Sequence, residues 1–128
     1  MRFLLDTHTF LWAVLDDPRL SDKVRALMLN ADNELLVSPA SYWEIAIKIS
    51  LGKYTLDDDF EAFMERQTVY SEFTLLPISL KHAAVVASLP FHHRDPFDRL
   101  LVAQAISEGI PIVSIDRALD LYPLTRIW

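Results

Sequence analysis

Four carboxylates stand where an apolar run meets a helix or one turn inside one: Asp6 after Phe3-Leu4-Leu5, Glu44 in Ser41-Tyr42-Trp43-Glu44, Asp98 in Asp95-Pro96-Phe97-Asp98, and Asp116 after Ile112-Val113-Ser114-Ile115. In an open parallel sheet, groups at the carboxyl ends of strands gather in one crevice, so acids far apart in the chain can meet there. Carboxylates brought together repel unless a cation lies between them. A set of hard oxygen donors in a chain with 0 Cys points to Mg²⁺ or Mn²⁺ rather than zinc. The chemistry expected of such a centre is metal-dependent phosphodiester hydrolysis.

Each acid also has an ordinary local role. Asp6 and Asp116 can cap the helices that follow them, although Thr7 and Thr9 could cap the first one equally well. Glu44 precedes Lys48 at i+4, the favourable order for a surface ion pair. Its helix, however, is apolar around much of its circumference, which predicts burial and a need for a partner. Asp95 before Pro96 fits an N-cap with proline at the first helical position. Asp98 shares a stripe with Leu101, Val102 and Ala105, so it should face inward. The 4 His look peripheral: His8 in a first helical turn, His82 on a helix surface, His92 and His93 as a loop pair. A zinc site from His92, His93 and Asp95 lacks any supporting spacing. No Gly-rich phosphate loop or nucleophilic serine motif is present.

The elements that must position these acids follow from short β-rich apolar runs alternating with longer segments of helical period, the pattern of an α/β chain with a parallel sheet. Strands are expected near 2–5, 35–38, 74–78, 111–115 and 125–127. Helices are expected near 8–15, 20–30, 40–51, 57–70, 79–88 and 97–108, with a short one near 117–121. Ser21 and Ser38-Pro39 mark helix starts, and Gly52 and Gly109 mark helix stops.

With 128 residues, 52% of them hydrophobic, and only 2 Gly, the chain is expected to form a single domain over 1–128 around one core. The absence of cysteine excludes disulfides and thiolate metal sites. No long apolar run or signal-peptide pattern is visible, which leads to the expectation of a cytoplasmic protein with no membrane partner. Lys+Arg 12 against Asp+Glu 18 gives a net charge of −6, which argues against a broad basic face for nucleic acid. A local Arg/Lys rim, a basic partner and bound metal could each offset this. The surplus of apolar and aromatic residues predicts an interface with another protein or a second copy.

With Leu4-Leu5-Asp6-Thr7-His8-Thr9-Phe10-Leu11-Trp12, Ser38-Pro39-Ala40-Ser41-Tyr42-Trp43-Glu44, His92-His93-Arg94-Asp95-Pro96-Phe97-Asp98-Arg99 and Ile112-Val113-Ser114-Ile115-Asp116, the chain resembles PIN-domain ribonucleases, specifically VapC-like toxins of type II toxin–antitoxin systems. The resemblance spans essentially the whole length. It implies a three-layer α/β/α sandwich with a central parallel sheet. It also implies an endoribonuclease hydrolysing RNA at Asp6, Glu44, Asp98 and Asp116, the acids that bind Mg²⁺ or Mn²⁺ in the family. Asp6 and Asp98 would be the firmest ligands, while Asp116 would bind the ion directly or through water, and Glu44 would either touch the ion or orient a water. Thr7 and Ser114 match the hydroxyl positions beside the acids, and Lys48 and Arg99 would order them or steer phosphate. A VapB-like cognate antitoxin and a homodimer that joins it in a larger complex are implied partners.

Two other functions compete. A haloacid-dehalogenase-like phosphatase also uses an Asp after its first strand, but it wants a second acid two residues later, where His8 is followed only by Thr9. A receiver-like or adaptor module without catalysis wants paired acids at the first strand and a lysine near the last, and neither is present.

Overall fold

The computed structural model describes residues 1–69 and 72–128. Its strands are β1 (Arg2–Leu5), β2 (Glu34–Val37), β3 (Phe73–Leu75), β4 (Ile112–Val113) and β5 (Arg126–Ile127). Its helices are α1 (Thr7–Val14), α2 (Asp22–Leu29), α3 (Pro39–Ser50), α4 (Phe60–Val69), α5 (Leu80–Ala87) and α6 (Pro96–Glu108), with a 3-10 turn over Arg117–Leu121. All strand pairs are parallel, in the order β3-β2-β1-β4-β5. The chain builds outward from β1 through β2 to β3, then returns to the other side of β1 for β4. The β1/β4 boundary is therefore the point where strand order reverses, and at such a point crevices open beyond the carboxyl ends of the strands.

Strand alternation divides the core in two. Phe3, Leu5, Leu35, Val37 and Val113 face one way and pack with Phe10 of α1, Val24 of α2, Ile45 of α3 and Phe63 and Met64 of α4. Leu4, Leu36 and Ile112 face the other way and pack with Leu101, Val102 and Ala105 of α6. This is the expected α/β/α sandwich, and α5 lies against α6. Phe10, fully buried, stands edge-on to Phe73 at 5.3 Å between ring centroids, which ties α1 to β3.

Every expected element is present; β1 and the turn over Arg117–Leu121 keep their expected bounds, and the others have shifted ends. Ser21 caps α2, its Oγ accepting from Val24 N, so the helix begins after the cap. The helix expected near 57–70 starts at Phe60 because Asp59 caps it, accepting from Ala62 N at 3.1 Å, and residue 70 lies outside the described residues. β4 is shorter than expected because Val113 O accepts from Asp6 N and Thr9 Oγ1, where the chain leaves the sheet. Gly109 ends α6 at φ 66, a left-handed conformation that costs glycine nothing.

α3 is largely buried or half-buried, as expected, and Glu44, 6% exposed, has Lys48 as its partner, although Trp43 on the same helix is 63% exposed. One expectation about exposure is overturned. His82 is not on a helix surface but 3% exposed, because its Nδ1 accepts from Ser79 N in a capping box that fixes the start of α5. Among the described residues no helix is long and apolar enough to cross a membrane.

Candidate metal centre

Asp6 and Asp116 reach the site through the strands that flank the switch point, β1 and β4. Leu5 pairs with Val113, and Asp6 N donates to Val113 O at 3.1 Å, so the two strand ends are in register. Both acids do cap the helices behind them: Thr9 N donates to Asp6 Oδ1 at 2.9 Å and Ala118 N to Asp116 Oδ1 at 3.0 Å. Capping and ligation are not exclusive, since each cap occupies one oxygen and a carboxylate has two. Thr7 and Thr9 do not take over the cap, because Thr7 Oγ1 donates to Glu44 Oε1 at 2.8 Å and Thr9 Oγ1 to Val113 O at 3.0 Å.

Ser114 links the two strand-end acids. Its fully buried hydroxyl accepts from Asp116 N at 3.1 Å and bonds the Asp6 carboxylate. Burial pushes the Asp6 carboxyl up from its ordinary value, against the opposing pull of the Ser114 and Thr9 bonds.

Asp98 sits at the N-terminus of α6, but Asp95 supplies the cap there, accepting from Phe97 N at 2.8 Å and Asp98 N at 3.1 Å. Asp98 is thereby left uncommitted. Its carboxyl is raised to about 7, first by desolvation, then by the charge of Asp95, with Asp6 and Glu44 adding repulsion and His93 opposing it. Acids from separate stretches of chain thus act on one carboxyl.

Glu44 arrives from α3 with both oxygens engaged, Oε1 by Thr7 and Oε2 by Lys48 Nζ at 3.0 Å. The i+4 pair expected from the sequence is present, yet it is part of the site's wall rather than of an open surface.

His93 is the residue that the sequence pattern does not bring forward. Its Nε2 lies 2.8 Å from Asp116 Oδ2 and 3.4 Å from Asp98 Oδ2, and ligand atoms of His93, Asp98 and Asp116 all fall within 4.8 Å of one another. Its Nδ1 accepts from Asp95 N at 3.2 Å, so in the neutral ring the proton is on Nε2 and is donated to Asp116. Nothing in the His92-His93 doublet marks this, because only the path from Pro90 to Asp95 brings one ring inward. His92 turns away and meets the Tyr122 ring edge to face. The same path removes the alternative of His92, His93 and Asp95 around zinc, since the two rings part: His92 goes to Tyr122 and His93 to Asp116 and Asp98.

Arg99 neither orders the acids nor faces phosphate. It is 6% exposed, its guanidinium donates to Pro90 O at 2.9 Å and Leu89 O at 3.1 Å, and it lies over the Phe91 ring. Its place is under the loop that carries His93.

The donor set fits a hard divalent cation: crowded carboxylate oxygens, no thiol, and within the wall Lys48 as the only permanent cation among the groups described. Asp98, Asp116 and His93 are brought together directly, while Asp6 and Glu44 lie outside that tight group and act on it through their charge.

Comparison with known proteins follows the same lines. The sequence model of the PIN domain family matches residues 3–123. Among solved structures, the chain is similar to one in the VapBC2 complex of Rickettsia felis bound to a promoter DNA fragment, with TM-score 0.73 and 17% identity over 100% of this chain and 99% of that one. It is likewise similar to a chain of DNA-bound VapBC from Salmonella typhimurium, with TM-score 0.70 and 18% identity over 100% and 97%. FitAcB from Neisseria gonorrhoeae gives TM-score 0.67 and 18% identity over 98% and 96%. No curated protein sequence matches the chain.

Proposed function

Because this chain belongs to the PIN domain family, a family of nucleases, we propose that it is a Mg²⁺- or Mn²⁺-dependent endoribonuclease and the toxin of a type II toxin–antitoxin pair. The observation that carries the catalytic reading is Asp98, an uncommitted carboxylate held against Asp116 and His93 at the switch point of the sheet and repelled by Asp6 and Glu44. Asp6, Asp98 and Asp116 are the residues that would hold the ion, with Glu44 orienting a water beside them. A divalent cation bound there supplies charge neutralisation of the phosphate and a more acidic water.

The chain's own groups set the geometry. The caps on Asp6 and Asp116 fix one oxygen of each, so their carboxylates cannot swing away from the centre. Thr7 and Lys48 hold Glu44 from both sides, keeping it oriented next to the acids. His93 donates to Asp116 and carries a proton at Nε2 within 3.4 Å of Asp98, a place from which a proton can be exchanged with the acid pair.

An antitoxin partner and a homodimer are part of the same proposal. They are supported by the fold's likeness to chains from VapBC complexes and by exposed Trp43 beside Phe97. The test is cleavage of a mixed RNA pool by protein purified free of partner, in Mg²⁺, Mn²⁺ or EDTA, beside Asp98→Asn. Products that need the ion and vanish in the variant support the assignment. Cleavage retained in EDTA or by Asp98→Asn refutes it.

A further inference from the structure

Acids outnumber bases 18 to 12 in this chain, yet two cavities beside the acidic centre are lined by cations and contain no acid among their described lining residues. The first, of about 330 Å³, runs between α1 and the end of α3 and is lined by Arg19, Lys48 and Lys53 with Trp12 and Tyr54. The second, of about 370 Å³, lies past β4 and is lined by Lys23, Arg117 and Arg126 with Trp128. Together they gather six of the 12 Lys and Arg residues.

The cavities are neighbours, and each has a lining residue bonded to, or adjacent in sequence to, an acid of the centre. Trp12 and Trp128 meet edge to face at 5.8 Å, so an aromatic pair spans the boundary. On one side Lys48 is bound to Glu44. On the other, Arg117 follows Asp116 directly, and Arg126 Nη1 donates to Ser114 O at 3.0 Å. Arg19 is paired with Asp17 and Arg126 with Asp120, but Lys23, Lys53 and Arg117 have no ion pair among the described residues.

We propose that the two cavities form one track for single-stranded RNA across the acidic centre, with phosphates held by Lys53 on one side and Lys23 and Arg117 on the other, and bases stacked on Trp128 and Tyr54, while Trp12, its ring covered by Arg19, braces Trp128. Unpaired cations interleaved with half-buried rings suit a strand whose bases are exposed, because every base offers a π-face and every linkage a charge. A duplex hides those faces, so it should compete poorly. This rests on the nuclease reading for its substrate class, and it locates how an acidic protein can hold a polyanion next to its own carboxylates.

The test is anisotropy of a short labelled RNA strand of mixed sequence in EDTA, where cleavage is suppressed, with wild type, Lys53→Glu, Lys23→Glu, the double variant, Trp128→Ala, and Lys81→Glu on α5 as a control. Each charge reversal should weaken binding and reduce the salt slope by about 0.7 for every phosphate that is no longer neutralised. Trp128→Ala should weaken it by about tenfold, Lys81→Glu should not, and unlabelled single strand should displace the probe better than duplex. Wild-type affinity in the double variant, absence of RNA binding by wild type, or equal competition by duplex would overturn the track. So would an acidic peptide whose binding alone is lost in the variants, which would assign the cavities to a protein partner. The two readings separate cleanly: RNA cleavage with unaltered binding in the double variant removes the track and keeps the nuclease, while weakened binding without any cleavage by wild type does the reverse.

Discussion

Asp98 has fewer local obligations than any other acid of the centre, and its energetics show what that costs. A folded carboxyl at about 7 against an ordinary 3.8 means that the folded chain binds this proton more tightly than the unfolded chain. Stability from this group is therefore full below about pH 4 and is lost as pH rises toward 7. In EDTA, Asp98→Asn should stabilise the protein at pH 7.5 by on the order of 2 kcal/mol, after discounting for a side chain 28% exposed, and by much less at pH 5. Equal effects at the two pH values in chemical denaturation would show that the raised carboxyl of Asp98 is not the cause. His93 predicts a different signature. His93→Ala should leave the fold intact but lower Mn²⁺-dependent activity by roughly 10–100-fold, as expected when the partner orienting a ligand is removed. The shift in melting temperature on adding Mn²⁺ should fall with it, and an unchanged shift would place His93 outside the centre's support.

At the scale of elements, α6 and the loop before it form one device. Asp95 caps the helix, its backbone N–H fixes His93, and Arg99 from the first turn of the helix ties down the carbonyls of Leu89 and Pro90. Arg99→Ala leaves those buried carbonyls unpaired, so it should destabilise the fold by about 2–4 kcal/mol, with little rescue by Arg99→Lys because an ammonium cannot span the same acceptors. Denaturation curves measure the loss, and a KM for RNA unchanged once the folded fraction is accounted for would confirm that Arg99 does not meet phosphate. On the opposite layer, Phe10 anchors α1, whose first turn is bound to Asp6. Phe10→Ala should cost about 3–5 kcal/mol through the cavity it leaves. A loss under about 1 kcal/mol would mean that α1 is held by something other than this packing.

For the whole molecule, strand order is the deciding feature. By returning to β4 beside β1, the chain places Asp6 and Asp116 at adjacent strand ends, and α6 brings Asp98 to the same edge. A cation that binds only this assembled arrangement stabilises the fold by mass action, about 2.7 kcal/mol at a hundred times its Kd. Thermal melts with and without Mn²⁺ should show that gain in wild type and not in Asp98→Asn. A net charge of −6 also means that nothing at long range draws RNA in, so association must depend on the local cations and should weaken steeply with salt.

The alternation of apolar runs and helical periods by itself determined the sheet, the helices and the acids at their junctions, because those patterns are local: a strand's two faces and a helix's cap are written within a few residues. Motif order was enough to bring Asp6, Glu44, Asp98 and Asp116 forward as candidates. What only the tertiary structure decided depends on contacts between distant segments. His93 joins Asp116 across 23 residues, Arg99 faces backbone carbonyls instead of phosphate, and His82 is buried rather than exposed. No local period encodes where a loop side chain points, since that direction is set by whatever the rest of the fold packs against it. The same holds for the cations: sparse along the sequence, they become two basic cavities only when α1, α3, β4 and the C-terminal strand come together around Trp12 and Trp128.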